Sequence, residues 1–151
     1  MARHRVVLSL IAIGLAFTGS LFLGAQEKKP SPRMLLLGKW RADISATQSI
    51  TLEFREDIVE MKIEAGGAVN GIITATAVLP EEHADRHMDW VGMRAGERAL
   101  PDNKILYKIV GDTMLLIGGG PKDRPASFYS GPGSEPKAFI LTRIPAKQAK
   151  E

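Results

Sequence analysis

The chain has 151 residues, with 20 Lys and Arg against 17 Asp and Glu, and it contains no cysteine. This length suits one domain built around a single core. The lack of Cys excludes disulfides, thiol nucleophiles and Cys-based zinc sites. The near balance of charges, without runs that mix basic and aromatic residues, predicts no nucleic-acid partner.

Residues 1–25 have the three parts of a secretory signal peptide. Two arginines make the start positive, an uncharged apolar stretch runs from Val6 to Leu23, and the small pair Gly24-Ala25 closes it. We expect cleavage after Ala25, which leaves 126 residues with a net charge of +1. The mature domain is then periplasmic or extracellular and touches no membrane. The alternative is an uncleaved anchor, since about 18 apolar residues can span a bilayer; the mass of the exported protein distinguishes the two.

After that segment, short apolar runs alternate with turn residues, which predicts strands rather than helices. A polar tether covers residues 26–33, an apolar turn at Met34–Leu37 plugs one end of the domain, and a polar tail covers residues 147–151. Turns or loops are predicted at 55–57, 66–71, 80–86, 94–103, 111–112 and 118–136. Strands are predicted at Lys39–Ser45, Ser49–Phe54, Val59–Ala65, Ile72–Leu79, His87–Met93, Lys104–Val110, Thr113–Ile117 and Lys137–Ile144.

Eight strands joined in chain order predict an all-β fold over residues 34–146. The expected architecture is an antiparallel up-and-down sheet that closes into a barrel, because closure removes exposed sheet edges. A barrel of eight strands is just wide enough to be filled by side chains or to hold one small ligand. The strand pattern does not distinguish a barrel filled by side chains from one that holds a ligand.

A Gly-x-Trp sequence, Gly38 to Trp40, opens the first strand, and Arg143 stands in the last strand. This combination resembles the lipocalin pattern. It implies that the Trp40 ring plugs one end of the barrel and that the Arg143 guanidinium stacks on it, a contact worth about 1–2 kcal/mol when shielded. The alternative is an ordinary core aromatic and a solvated arginine.

The second half of the chain contains five motifs in a fixed order: Asp89-Trp90, Tyr107–Met114, Arg124–Phe128, Pro132–Ser134 and Phe139–Arg143. Their order and spacing resemble the Planctomycetes-type lipocalin-like domain, over about residues 35–145. The resemblance implies an exported lipocalin-like barrel in a family with no assigned function, so it implies no reaction.

Inward-facing apolar side chains of such a barrel are candidates for a ligand site. We expect one small apolar or amphipathic ligand, with Tyr107 as its polar anchor, because small-molecule pockets are mostly apolar with few polar groups. A dry, filled core is the alternative. The candidate lining residues are Phe54, Met61, Trp90, Tyr107, Leu116 and Phe139, with Leu52, Ile63 and Ile105 on the same faces.

One segment has the residue types of a metal site. His83, Asp85, His87 and Asp89 alternate, so an extended chain would point all four to one side, as a zinc or copper site requires. The preceding Pro80 and two glutamates favour a solvated loop instead. We therefore predict no metal and no cofactor.

Catalytic motifs are also missing. Gly118–Lys122 is similar to a phosphate-binding loop, but it lacks the spacing and the following helix. Ser127, Ser130 and Ser134 lie in a Gly/Pro-rich loop without a base that would activate them. We assign no catalytic residue and expect a protein that is not an enzyme.

The second functional hypothesis is an envelope scaffold that binds a macromolecular partner. Loops on a rigid frame are the usual site of such contacts. The long segments 94–103 and 118–136 are the candidate surfaces, with Phe128 and Tyr129 as contact residues. The sequence does not identify that partner.

Overall fold

The structure is a computed structural model that describes residues 29–128 and 138–146. The predicted signal segment, the end of the 118–136 loop with Tyr129, and the polar tail lie outside the described residues. Among these residues, one short helix precedes the strands. The elements are α1 Pro32–Leu36, β1 Gly38–Asp43, β2 Gln48–Arg55, β3 Ile58–Ala65, β4 Ala68–Val78, β5 His87–Ala95, β6 Arg98–Ala99, β7 Asn103–Val110, β8 Thr113–Gly118 and β9 Phe139–Ile144.

The strands form one antiparallel sheet that closes on itself. Their order is β4-β3-β2-β1-β9-β8-β7-β5, and β4 also pairs with β5, so the ring is complete. The two-residue β6 pairs only with the last residues of β5 and is not one of the eight strands of the barrel. Apart from the pair that joins β1 to β9, neighbours in the barrel are neighbours in the chain. The predicted all-β, eight-stranded, up-and-down barrel is confirmed.

The turn between β3 and β4 is tighter than predicted. Gly66 and Gly67 alone make it, with φ angles of +61° and +80°, and Ala65 pairs directly with Ala68. Two successive positive φ angles match the twist of a hairpin, and glycine adopts them without steric cost. The prediction of a turn over residues 66–71 is wrong because β4 already begins at Ala68 and passes a β-bulge beside Ile63.

The predicted loop 94–103 is largely ordered into a small hairpin. Strand β5 runs on to Ala95, and β6 folds back on it across Gly96, which has a φ of +60°. The backbone N–H of Leu100 then donates to the carbonyl of Met93 at 2.8 Å. Only residues 100–102 connect this hairpin to β7.

The predicted apolar turn at 34–37 is mostly helix. The Ser31 hydroxyl caps α1 by accepting from a backbone N–H three residues on, and Pro32 occupies the first turn, where its missing N–H is not needed. Arg33 donates to the carbonyls of Glu56 at 2.9 Å and Ala77 at 3.1 Å. The predicted tether 26–33 is therefore too long, since its last residues are bonded to the barrel.

The core lies inside the barrel and follows the alternation of the strands. In β2, Ile50, Leu52 and Phe54 are buried and alternate with more exposed residues. We call the end that carries α1 the helix end and the opposite end the far end. The two ends differ in how they are filled, and that difference positions the candidate site.

Candidate functional site

A plug closes the helix end of the barrel. The Trp40 side chain is fully buried, and its indole N–H donates to the carbonyl of Leu36 at 2.8 Å. The guanidinium carbon of Arg143 lies 4.0 Å from the centroid of the Trp40 ring. This is the stacking contact that the Gly-x-Trp pattern and the late arginine predict.

Arg143 also binds the end of α1. Its two terminal nitrogens donate to the carbonyls of Leu35 and Leu37, both at 2.7 Å. The Leu35 carbonyl lies in the last turn of α1, where helix carbonyls lack an intrahelical donor, and Leu37 is the residue that follows the helix. Gly38 comes next with a φ of +104°, which side-chain-bearing residues rarely adopt. The chain can thus turn from α1 into β1 directly under the guanidinium.

Tyr107 and Phe54 are buried towards this end of the barrel, and Tyr107 also borders a crevice of about 500 Å³ beside Ser31 and Leu35. Phe54 lies at the end of β2, opposite Gly38 in register. The Tyr107 hydroxyl donates to the carbonyl of Ala84 in the loop between β4 and β5. Burial raises the pKa of Tyr107 to about 12. Neither residue is among the lining residues of the cleft at the far end, so their place in a ligand site stays a prediction.

Tyr107→Phe tests this assignment through pH. The phenol holds its proton more tightly in the folded chain than its ordinary pKa of about 10 allows, so ionisation favours unfolding. The contribution of the protonated phenol to the free energy of unfolding is complete below pH ~10 and is lost as the pH rises towards about 12. We expect the variant to lose about 1 kcal/mol at neutral pH and to show a shallower alkaline decline in the urea midpoint than wild type. Equal alkaline declines in both proteins would contradict the assignment.

A cleft of about 380 Å³ lies at the far end. Its volume falls in the range of small-molecule pockets, roughly 300–1,000 Å³. No charged side chain is among its described lining residues. We call it the far-end cleft; it is lined by Ile50, Leu52, Met61, Trp90, Met93, Asn103, Ile105, Leu116, Gly118 and Phe139.

Four of the six predicted lining residues meet in this cleft: Met61, Trp90, Leu116 and Phe139. Leu116 and Phe139 are paired in register on β8 and β9, so they share one face of the sheet. Met93, predicted as the last residue of a strand, and Asn103, predicted as the last residue of a loop, also line the cleft but were not among the candidates. Their positions in the chain could have indicated this, because in an up-and-down barrel β5 ends and β7 begins at the far end.

Trp90 is the unusual residue of the cleft. Only 3% of it is exposed, yet its indole Nε1 has no hydrogen-bond partner among the described residues. Buried tryptophan N–H groups usually find an acceptor, because leaving one unpaired costs about 1–3 kcal/mol. The Trp40 indole does find one in this same protein. Trp90 thus lines the cleft while its indole N–H is covered by surrounding atoms and has no acceptor among the described residues.

Asn103 stands opposite Trp90 on the neighbouring strand. The two residues are paired in register, so their side chains lie on the same face of the sheet. The Asn103 amide oxygen accepts from the backbone N–H of Gly120 at 2.8 Å. A Cβ at Gly118 would lie 2.6 Å from the Asn103 amide nitrogen, so glycine is needed there for the amide to keep this place.

Of the alternating histidines and aspartates, the His83 and His87 rings lie edge to face with centroids 5.1 Å apart, whereas Asp89 turns to another partner. Residues 82–86 form turns, with His83 at a φ of +68°. Arg86 bonds the His83 ring at 2.9 Å, and Asp89 pairs with Arg124. Within the described ranges no three metal-binding side chains are grouped. Burial, with the Arg124 charge nearby, lowers the pKa of His87.

Arg124 fastens the loop after β8 to the barrel wall. Its guanidinium donates to the carbonyls of Met88 and Ile105 and to the Asp89 carboxylate. Part of the predicted contact loop is thus tied down, and Phe128 is half-buried. Tyr129, Ser130 and Ser134 lie outside the described residues.

None of the helices in the described part of the chain is long and apolar enough to cross a bilayer. The site that stands out from this geometry is the far-end cleft, with apolar walls and the unpaired Trp90 donor. Comparison of the chain with protein-family models, curated proteins and solved structures found no match.

Proposed function

We propose that this protein is an exported, non-enzymatic binding module that takes one small, largely apolar molecule in the far-end cleft. The N-terminal pattern of residues 1–25 supports export, and the resemblance of the strand motifs to lipocalin-like domains agrees with it. The closed barrel supplies a rigid wall around the cleft. Binding, rather than catalysis, is the function that this set of side chains supports.

The observation that carries the proposal is the pairing of an apolar cleft with a buried, unpartnered Trp90 N–H. An apolar wall alone would equally suit a core that is simply loosely packed. A buried polar atom without a partner needs an explanation of its own. A molecule in the cleft explains the apolar volume directly, and it meets the Trp90 N–H only if the atoms that now cover this group move aside.

Met61→Trp tests the cleft directly. Met61 lines the cleft and pairs with Leu52 across β2 and β3, so the larger ring occupies the space of a ligand. The probe is N-phenylnaphthylamine, an uncharged aromatic whose emission rises in apolar surroundings. We expect wild type to bind it and the variant to bind at least about tenfold more weakly, a difference of ~1.4 kcal/mol.

Met34→Trp is the matched control. Met34 is 62% exposed on α1 at the helix end, so the same substitution leaves the far-end cleft unchanged. Thermal melting of both variants checks that each is folded. A wild type that does not bind the probe, or a folded Met61→Trp that binds it as tightly as wild type, would refute the proposal. Mass spectrometry of protein purified from its native host then identifies the molecule that co-purifies.

A further inference from the structure

The walls of the far-end cleft differ in chemistry around the barrel. In the closed ring of eight strands, β9 stands opposite β4, because three strands separate the two on either side. The strands that flank β4, which are β3 and β5, therefore also lie across the lumen from β9. Phe139 lines the cleft from β9, and Met61 and Trp90 line it from β3 and β5. A phenyl ring on one wall thus faces a thioether and an indole on the other.

A second thioether adds to the wall on β5, where Met93 lies three residues after Trp90. The strands between the two opposed walls contribute aliphatic side chains, which are Ile50 and Leu52 on β2, Ile105 on β7 and Leu116 on β8. The cleft therefore has aromatic rings and sulfur on opposite sides, with branched aliphatic groups between them.

Rings and thioethers can distinguish an aromatic molecule from a saturated one of the same outline. Aromatic rings attract each other beyond the effect of buried area, because the negative face of one ring meets the positive edge of another. Methionine sulfur is polarizable and makes favourable contacts with aromatic rings. A saturated ring has no such charge distribution, so it gains from these walls only the burial of its surface.

From this arrangement we infer that the far-end cleft selects molecules with an aromatic ring, held between Phe139 on one side and Met61 and Trp90 on the other. This selectivity rests on the proposed function and goes further, because it distinguishes aromatic ligands from saturated lipids of equal size. It makes Phe139 a specificity-determining residue of the cleft.

Phenylbutanol and cyclohexylbutanol, each with its ring and its hydroxyl at opposite ends of the chain, differ only in the ring. Each is used to displace N-phenylnaphthylamine from wild type and from Phe139→Leu, which keeps an apolar side chain and removes the phenyl ring. The saturated ring is the more apolar, so the readout is the ratio of the two dissociation constants, cyclohexylbutanol over phenylbutanol. We expect this ratio to fall about threefold or more in the variant.

Phe54→Leu is the matched control, since Phe54 is buried and is not among the lining residues of the cleft. We expect it to keep the wild-type ratio. Met61→Leu removes a sulfur at nearly constant volume and is expected to lower the ratio about twofold. Its control is Met114→Leu, at a buried position of β8 outside the described lining. A thermal melt confirms that each variant is folded.

The methionine methyl groups give an independent readout in the wild-type protein. The chain has six methionines, of which Met61 and Met93 line the cleft. With carbon-13 in these methyl groups, we expect the ring current of phenylbutanol to move the NMR signals of Met61 and Met93 further than cyclohexylbutanol does. The signal of Met114 is expected to stay in place with both alcohols.

Three results would overturn the aromatic selectivity and leave the cleft as a ligand site. These are an unchanged ratio in folded Phe139→Leu, equal movement of the Met61 signal with both alcohols, and failure of phenylbutanol to displace bound N-phenylnaphthylamine. If N-phenylnaphthylamine itself does not bind wild type, the proposed function falls, and the selectivity falls with it.

Discussion

Replacing Trp40 by alanine is expected to lower the free energy of unfolding by about 4 kcal/mol, within the range known for large aromatic-to-alanine changes in cores. The residue is 0% exposed, so the deletion leaves a cavity at the helix end. It also leaves the Leu36 carbonyl without the indole donor 2.8 Å away, and the Arg143 guanidinium without its ring. These losses act together because all three groups meet at one plug.

Urea denaturation followed by far-ultraviolet circular dichroism measures this change without relying on tryptophan emission. Trp40→Phe is the graded control, since it keeps an aromatic ring and removes the N–H. We expect it to lose about 1–2 kcal/mol, from the lost hydrogen bond and the smaller ring. A loss below about 1 kcal/mol in the alanine variant would show that the plug does not hold the barrel closed.

The second large effect is expected for Arg143→Ala, with a loss of about 2–3 kcal/mol. Its guanidinium makes two hydrogen bonds of 2.7 Å to α1 carbonyls and covers Trp40. Hydrogen bonds from charged donors are stronger than neutral ones, but the side chain is 26% exposed, which reduces their net value. The ion pair with the exposed Asp112 contributes little to this sum.

Arg41→Ala is the matched control on the neighbouring strand. Arg41 pairs with Asp43 at 3.1 Å and Glu64 at 3.0 Å, but it is 46% exposed and covers no ring. We expect a loss below about 0.5 kcal/mol there. A double-mutant cycle between Arg143→Ala and Trp40→Phe isolates the coupling between the two side chains. Equal losses at Arg41 and Arg143 would mean that charge, rather than the plug geometry, accounts for the effect.

Local patterns in the sequence predicted most of the barrel. Alternation in β2 and the Gly111-Asp112 turn depend on neighbours two to four residues apart, so they can be read without the fold. The failures lie where distant pairing extends a strand. Ala68–Gly71 looks like a turn alone, but β3 offers it a hydrogen-bonding partner, and β6 likewise forms only because β5 continues to Ala95.

The candidate site was predicted in part, for a related reason. Alternation tells whether a side chain points inward, and it placed Met61, Trp90, Leu116 and Phe139 inside the barrel. It does not tell how far along the axis each one lies. Phe54 and Tyr107 are also buried inside the barrel but do not line the cleft. Tyr107 even pairs in register with Leu116, so neither alternation nor pairing alone separates the two sets.

The sequence by itself determined most of the strand pattern and the up-and-down order, because these follow from periodicity. The plug of Trp40 and Arg143 was implied by the resemblance to the lipocalin pattern. The absence of cysteine likewise settled that no disulfide holds the barrel. Only the tertiary structure decided where the cleft lies, and that Asn103 faces Trp90 with an indole N–H left unpaired. Hydrogen-bond satisfaction is a property of atoms brought together from distant parts of the chain, so no local pattern contains it.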